Sequence, residues 1–274
     1  MTNLNQAVVV LTGAAGGFGQ ELTRQLLQAG SRLILTDIKQ DILETCSTQI
    51  KSEITTGEII TCIQSDLSDI KGCETLYHQV KALDIPIDIL INNAGIGLFG
   101  RMDEVPPDKW ERLMQVNLLA PMRLSSWFVA DMIKRKQGHI VNISSLAGWI
   151  APAGMAHYST SKFGLRGFSE GLFREVKPYN VKVTAVYPFF SRTPILQSER
   201  YGTLAQSGTG FPEHLVTDPA QVMEKTLKAI VRNQLHVFPD KIANSLHLLQ
   251  QYFPQLLDWI SNRSTTKYKD NLHE

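Results

Sequence analysis

Ala7-Val8-Val9-Val10-Leu11-Thr12-Gly13-Ala14-Ala15-Gly16-Gly17-Phe18-Gly19 is the stretch from which the fold is read. Five apolar residues with no polar alternation describe a strand buried on both faces. The run stops at Thr12 and enters a turn of small residues. From Gln20 to Ala29 the apolar period becomes helical, with Phe18, Leu22, Leu26 and Ala29 on one face and Gly30 as the stop. In such a strand, glycine turn and helix, the amides of Gly13, Ala15, Gly17, Phe18 and Gly19 can approach a pyrophosphate, and the helix start offers unpaired N–H groups. A tight turn alone explains the glycines equally well, so the context decides.

Outward from this unit the alternation repeats. A second strand, Arg32 to Thr36, ends in Asp37, eighteen residues after Gly19, where a carboxylate can accept hydrogen bonds from the ribose hydroxyls of an adenosine. That carboxylate would repel a 2′-phosphate and the glycine turn holds no arginine or lysine, so NAD is favoured over NADP. Lys39 is either a phosphate contact or a solvated helix-start lysine. A third strand, Ile59 to Ile63, precedes Asp66 and Leu67. Asp66 is placed to read an adenine amino group, although N-capping of the next helix by Asp66 or Ser68 explains it as well. A fourth strand, Ile87 to Ile91, runs into Asn92-Asn93-Ala94-Gly95, a turn that props the sheet beside the cofactor.

A long helical segment is expected from about Asp108 to Lys136, ended by Gly138, with Asn117 in its interior. Asparagine is a poor residue there because it competes for backbone hydrogen bonds, so Asn117 needs another reason. His139 to Ile143 form a fifth strand, and Ser145 follows at its end. Tyr158 and Lys162 lie four residues apart on the next helix and therefore share a face. An ammonium beside a phenol favours the phenolate, which would bring Tyr158 toward proton exchange near neutrality. Val181 to Val186 make a sixth strand. Alternating βα units imply a parallel doubly wound sheet, an α/β fold with ligands at the carboxyl edge of its strands, and each candidate residue maps to that edge.

These residues, in this order and at this spacing, resemble the short-chain dehydrogenase/reductase family in its ordinary short form. The matching motifs are Thr12-Gly-x-x-x-Gly-x-Gly19, Asp66, Asn92-Asn-Ala-Gly95, Asn117, Ser145 and Tyr158-x-x-x-Lys162, and they cover roughly Ala7 to Thr193. The resemblance implies a Rossmann-like sheet of about seven strands and hydride transfer between a nicotinamide and a secondary alcohol or its carbonyl. It implies that Tyr158 is the general acid/base and that Ser145 holds the substrate oxygen. Lys162 would bind the nicotinamide ribose and lower the tyrosine pKa, and Asn117 would hold a water. Pro188 and Thr193 fall where the family contacts the nicotinamide end. There the family usually has Pro-Gly, but Phe189 and Phe190 follow Pro188 here, which alters that wall and favours an apolar substrate. A sensor or scaffold of the same fold would be expected to lose the tyrosine or lysine, and both are present.

The chain has 274 residues, enough for one large α/β domain, and its 27 basic and 26 acidic residues nearly cancel. That balance gives no electrostatic case for nucleic acid. The three cysteines have no C-x-x-C spacing and the histidines no paired ligand spacing, so reduced thiols, no metal site and a cytoplasmic protein are expected. No apolar window is long enough to span a membrane. Residues 1–240 are read as the catalytic domain, with a substrate loop over 191–215. An apolar helical extension follows over 241–263, then a polar tail over 264–274. The extension has an apolar face, with Leu246, Leu249, Phe253, Leu256 and Leu257 at helical spacing, which must be covered. The substrate loop or a partner subunit is preferred as its cover over peripheral contact with a membrane. A homodimer or homotetramer is what the resemblance implies.

Overall fold

The computed structural model describes residues 1–206 and 213–257. Along the chain these are β1 (Val8–Thr12), α1 (Gly17–Gln28), β2 (Arg32–Asp37), α2 (Gln40–Glu53), β3 (Glu58–Gln64), α3 (Ile70–Ala82), β4 (Ile89–Asn92), β5 (Phe99–Gly100) and α4 (Pro107–Met114). Then come α5 (Ala120–Arg135), β6 (Gly138–Ile143), α6 (Ala156–Val176), β7 (Val181–Val186), β8 (Arg200–Tyr201), α7 (Gly202–Gln206), α8 (Pro219–Val231), β9 (His236–Val237) and α9 (Lys241–Tyr252). Among the described residues, no helix is long and apolar enough to cross a membrane.

Seven strands form one sheet in the order β3-β2-β1-β4-β6-β7-β9, and every pairing within it is parallel. The direction of strand addition reverses between β1 and β4, which makes the crevice at their carboxyl ends the site for a ligand in this class of sheet. All five residues of β1 are buried, as its unbroken apolar run requires. Alternate residues serve opposite layers: Val9 and Leu11 pack with Leu22 and Leu26 of α1, whereas Val8 and Val10 pack with Leu76 of α3 and Leu124 of α5. The Rossmann-like fold expected from the sequence is the fold observed.

Three local expectations are corrected. The helical segment expected from about Asp108 to Lys136 is present and continuous, with a π turn over Gln115–Leu119 inside it that carries Asn117. Its end is set by Lys136 in the left-handed conformation at φ 52°, with Gly138 already the first residue of β6. The N-cap of α3 is neither Asp66 nor Ser68 but Asp69, whose carboxylate accepts from the Gly72 N–H at 2.7 Å. Residues 191–215 contain more structure than a loop: Pro194–Gln197 form a 3-10 turn and β8 pairs with β5. Expectations for 207–212, for 258–263 of the extension and for the tail over 264–274 lie outside the described residues.

Candidate active site

The site begins at the carboxyl ends of β1 and β4. The Thr12 hydroxyl accepts the backbone N–H groups of Asn93 and Ala94, each at 3.0 Å. The Asn93 amide in turn donates to the carbonyls of Thr12 and Gly13, also at 3.0 Å each. Gly13 has φ +65°, and a Cβ there would lie 2.7 Å from Ala94 Cα, so glycine is required on both conformational and steric grounds. The reading of the Asn-Asn-Ala-Gly turn as a prop matches this lattice. One residue earlier, Asn92 donates to Asn142 at 2.8 Å and to Ser125 at 3.0 Å inside the core.

Asp37 stands across the turn, and its carboxylate accepts the Ala15 N–H at 3.0 Å. At the start of α1, the N-cap Gly16 supplies no side-chain acceptor for the first helical amides. A Cβ on Gly17 would sit 2.7 Å from Thr193 Cγ2, so the segment after β7 closes directly onto the glycine turn. Phe189, at the position where glycine is usual, is not among the residues of positive φ, so the aromatic side chain is carried on ordinary backbone. Asp66 is exposed at the cleft and ties its own turn by accepting from the Ser68 N–H at 2.9 Å.

The chemistry-bearing side chains converge from β6, α6 and the π turn. Ser145 lies two residues past the end of β6, and its hydroxyl accepts the Ala147 N–H at 3.1 Å. Tyr158 and Lys162 are both buried on one face of α6, with the ammonium 5.6 Å from the tyrosine ring centroid. Lys162 Nζ donates to the carbonyl of Ile143 at 3.1 Å. Asn117 is fully buried: Oδ1 accepts the Ile96 N–H at 2.9 Å and Nδ2 donates to the Ile96 carbonyl at 2.9 Å. These bonds give the helix-interior asparagine backbone partners, beside the water-holding role that the resemblance implies. The π turn adds a residue to one helical turn and aims the amide at the β4 edge.

Electrostatics correct one expectation. Burial pushes the Tyr158 phenol up to about 12, opposed by a hydrogen bond from Ser145. Burial also pushes the Lys162 ammonium down to about 8. Desolvation, which disfavours both charged forms, therefore outweighs the attraction of ammonium for phenolate assumed from the four-residue spacing. At neutral pH Tyr158 is a protonated acid beside a cationic Lys162.

One cavity of about 820 Å³ joins these parts, from Asp37 and the glycine turn past Tyr158 to Phe189, Phe190 and Leu246. Every site residue singled out from the sequence lines it except two: Gly19, buried under the turn, and Asn117, behind Ile96. The open amides, the glycine that admits no Cβ and the carboxylate at the end of β2 fit a dinucleotide. The chain carried no readable signal for four other participants. These are the Ile143 carbonyl that takes Lys162, the β5–β8 pair, Asp240 and the Trp149 ring under Arg166. Long-range contacts of this kind leave no periodicity in a sequence.

The chain matches the family model for short chain dehydrogenases over residues 7–203 and belongs to the short-chain dehydrogenase/reductase family. It is an NAD(P)-dependent oxidoreductase acting between CH–OH and carbonyl groups. Among curated relatives, 3-ketodihydrosphingosine reductase of Bos taurus is 33% identical over 232 residues, covering 84% of this chain and 70% of the relative. Epidermal retinol dehydrogenase 2 of Homo sapiens is 33% identical over 257 residues, covering 92% and 80%. A short-chain dehydrogenase from Sphingobium yanoikuyae in complex with NADPH superposes with a TM-score of 0.78 at 26% identity, over 92% of this chain and 95% of that one. A bulky-bulky ketone specific alcohol dehydrogenase from Comamonas testosteroni gives 0.75 at 27% identity, over 94% and 95%.

Proposed function

We propose that the protein interconverts an apolar ketone or aldehyde and its alcohol, with Tyr158 as general acid/base, and that NAD is the preferred cofactor. The observation that carries this reading is the convergence of Ser145, Tyr158 and Lys162 on one largely apolar cavity that also reaches the glycine turn. Gly13, Ala15, Gly17, Phe18 and Gly19 would supply the pyrophosphate cradle. Asp37, Asp66 and Leu67 would meet the adenosine, with Asn93, Ala94 and Gly95 along the ribose. Lys162, Pro188 and Thr193 would hold the nicotinamide half. The cofactor, when bound, supplies or accepts the hydride.

The protein's own part is proton management. Ser145 orients the substrate oxygen, and the neutral Tyr158 phenol donates its proton as the carbonyl carbon is reduced. Lys162 stabilises the phenolate that is left, which is how a nearby cation contributes without ionising the resting phenol. Asn117 holds the Ile96 peptide in place beneath the site and lies against the lysine end of α6, where a water could pass a proton to solvent. In the oxidising direction the same groups run in reverse.

NAD preference rests on the Asp37 carboxylate at the end of β2 and on the absence of a basic residue in the glycine turn. Substrate apolarity rests on Ile150, Met155, Phe189, Phe190 and Ile195 along the cavity, and the similarity to a 3-ketodihydrosphingosine reductase and a retinol dehydrogenase is consistent with it. The division into a catalytic domain over 1–240 and a C-terminal extension, a lid role for 191–215, a homo-oligomeric state and a cytoplasmic location belong to the same proposal. Oxidation of NADH and of NADPH, followed with matched apolar and polar carbonyls, tests it. The expected result is faster NADH-linked reduction of the apolar set, and a preference for the polar set would remove the substrate assignment.

A further inference from the structure

Helix α9 is attached to the domain by few groups. Ala243 is its one fully buried residue, while Leu248 and Tyr252 are exposed, so apolar burial alone fixes its position weakly. Two polar or aromatic contacts hold it instead. Asp240, 7% exposed, receives two backbone donors on its two oxygens: Oδ1 accepts the Ala243 N–H at 2.7 Å and caps α9, and Oδ2 accepts the Phe189 N–H at 2.9 Å. About two turns later, His247 stacks on Phe238 at 4.0 Å between ring centroids and meets Trp149 edge-on at 4.2 Å. Phe238 follows β9, and Trp149 belongs to the segment that leaves Ser145.

The segment so held walls the cavity. Leu246 of α9 and Leu257 beyond it line the same space as Phe189 and Phe190. One buried carboxylate therefore joins the aromatic floor, at the place where the family has glycine, to the helix opposite it. We propose that Asp240 is a positioning residue for substrate selection: it sets the separation of the Phe189–Phe190 floor from Leu246 and Leu257, and these leucines select for a long apolar group on the carbonyl. The inference rests on the reading of this cavity as the carbonyl site and adds to it which residues discriminate.

Asp240→Asn isolates the clasp. Asparagine caps helices about as well as aspartate, so α9 retains its N-cap, but one carbonyl oxygen cannot serve both N–H donors. The experiment compares kcat/KM for a long-chain alkyl methyl ketone with that for butanone, in the wild type, in Asp240→Asn and in Leu246→Trp, together with cofactor Kd. The wild type should favour the long-chain ketone. In Asp240→Asn the long-to-short ratio should fall about tenfold, mainly through KM, with cofactor Kd moving far less than that ratio. Leu246→Trp narrows the cavity without touching the clasp and should lower the same ratio; it decides the matter if Asp240→Asn does not fold. An unchanged ratio in Leu246→Trp, or an equal loss on both ketones in Asp240→Asn, overturns the proposal. A wild type that reduces neither ketone with NADH or NADPH instead removes the underlying reading of the site, and the selection role falls with it.

Discussion

The Asn117 side chain closes both hydrogen bonds of the Ile96 peptide, accepting from its N–H and donating to its carbonyl at 2.9 Å each. A helix-borne amide thus stands in for a neighbouring strand at the edge where β4 has ended, and it fixes the backbone immediately after Gly95.

Asn117→Ala leaves the Ile96 N–H and carbonyl without their side-chain partner in a part-buried setting. Each such loss is worth about 1–3 kcal/mol. The expected outcome is a lower denaturation midpoint together with a fall in kcat larger than the rise in cofactor Kd, read by denaturant unfolding and steady-state kinetics on the same preparation. A variant of native stability and turnover would show that the Ile96 peptide does not need the clamp.

The lysine predicts a pH limb. Its folded-state pKa is depressed to about 8, so Lys162 is charged below that pH and loses its charge as pH rises through it. Tyr158, raised to about 12, remains protonated across the same range. In the proposed reading, carbonyl reduction needs the phenol as donor and the ammonium to support the phenolate that forms. The reductive kcat should therefore be level near neutrality and fall as pH rises through about 8, and Lys162→Met should lower the rate and remove the limb. A profile flat to pH values well above 8 would contradict the assignment.

Asp37 predicts a cofactor switch. Its carboxylate is engaged by the Ala15 N–H, and in the proposed reading it stands where a 2′-phosphate would have to fit. Asp37→Ser should shift the NADPH-to-NADH ratio of kcat/KM toward NADPH by about tenfold, equivalent to about 1.4 kcal/mol. Lys39, exposed two residues on, lines the same end of the cavity. An unaltered ratio would assign the adenosine end of the cleft to other residues.

The sheet was legible because its central strands, buried on both faces, favour apolar runs: Val8 to Leu11 and Ile89 to Ile91 are such runs, while Val181 to Val186 keeps its valines despite Lys182 and Thr184. The site was legible where its residues sit at strand ends or share a helix face, as Asp37, Ser145, Tyr158 and Lys162 do. The π turn at Asn117 was not, since its apolar neighbours keep an approximately helical period. The ionisation of Tyr158 was not either: spacing places Lys162 beside it, but burial, which only the packed fold determines, outweighs that proximity. Asp240 was hidden for a related reason, because its partner Phe189 lies fifty-one residues away.

Tyr158→Phe tests the central claim most directly, because it removes one hydroxyl and keeps the ring that packs with Leu113 and Ala147. Positioned acid/base groups contribute about 10²–10⁴-fold to rate. Turnover with a ketone that the wild type reduces should fall by at least that much, while cofactor Kd, measured by fluorescence titration, should change by less than about threefold, within about 0.7 kcal/mol. Retained turnover in Tyr158→Phe would contradict the account.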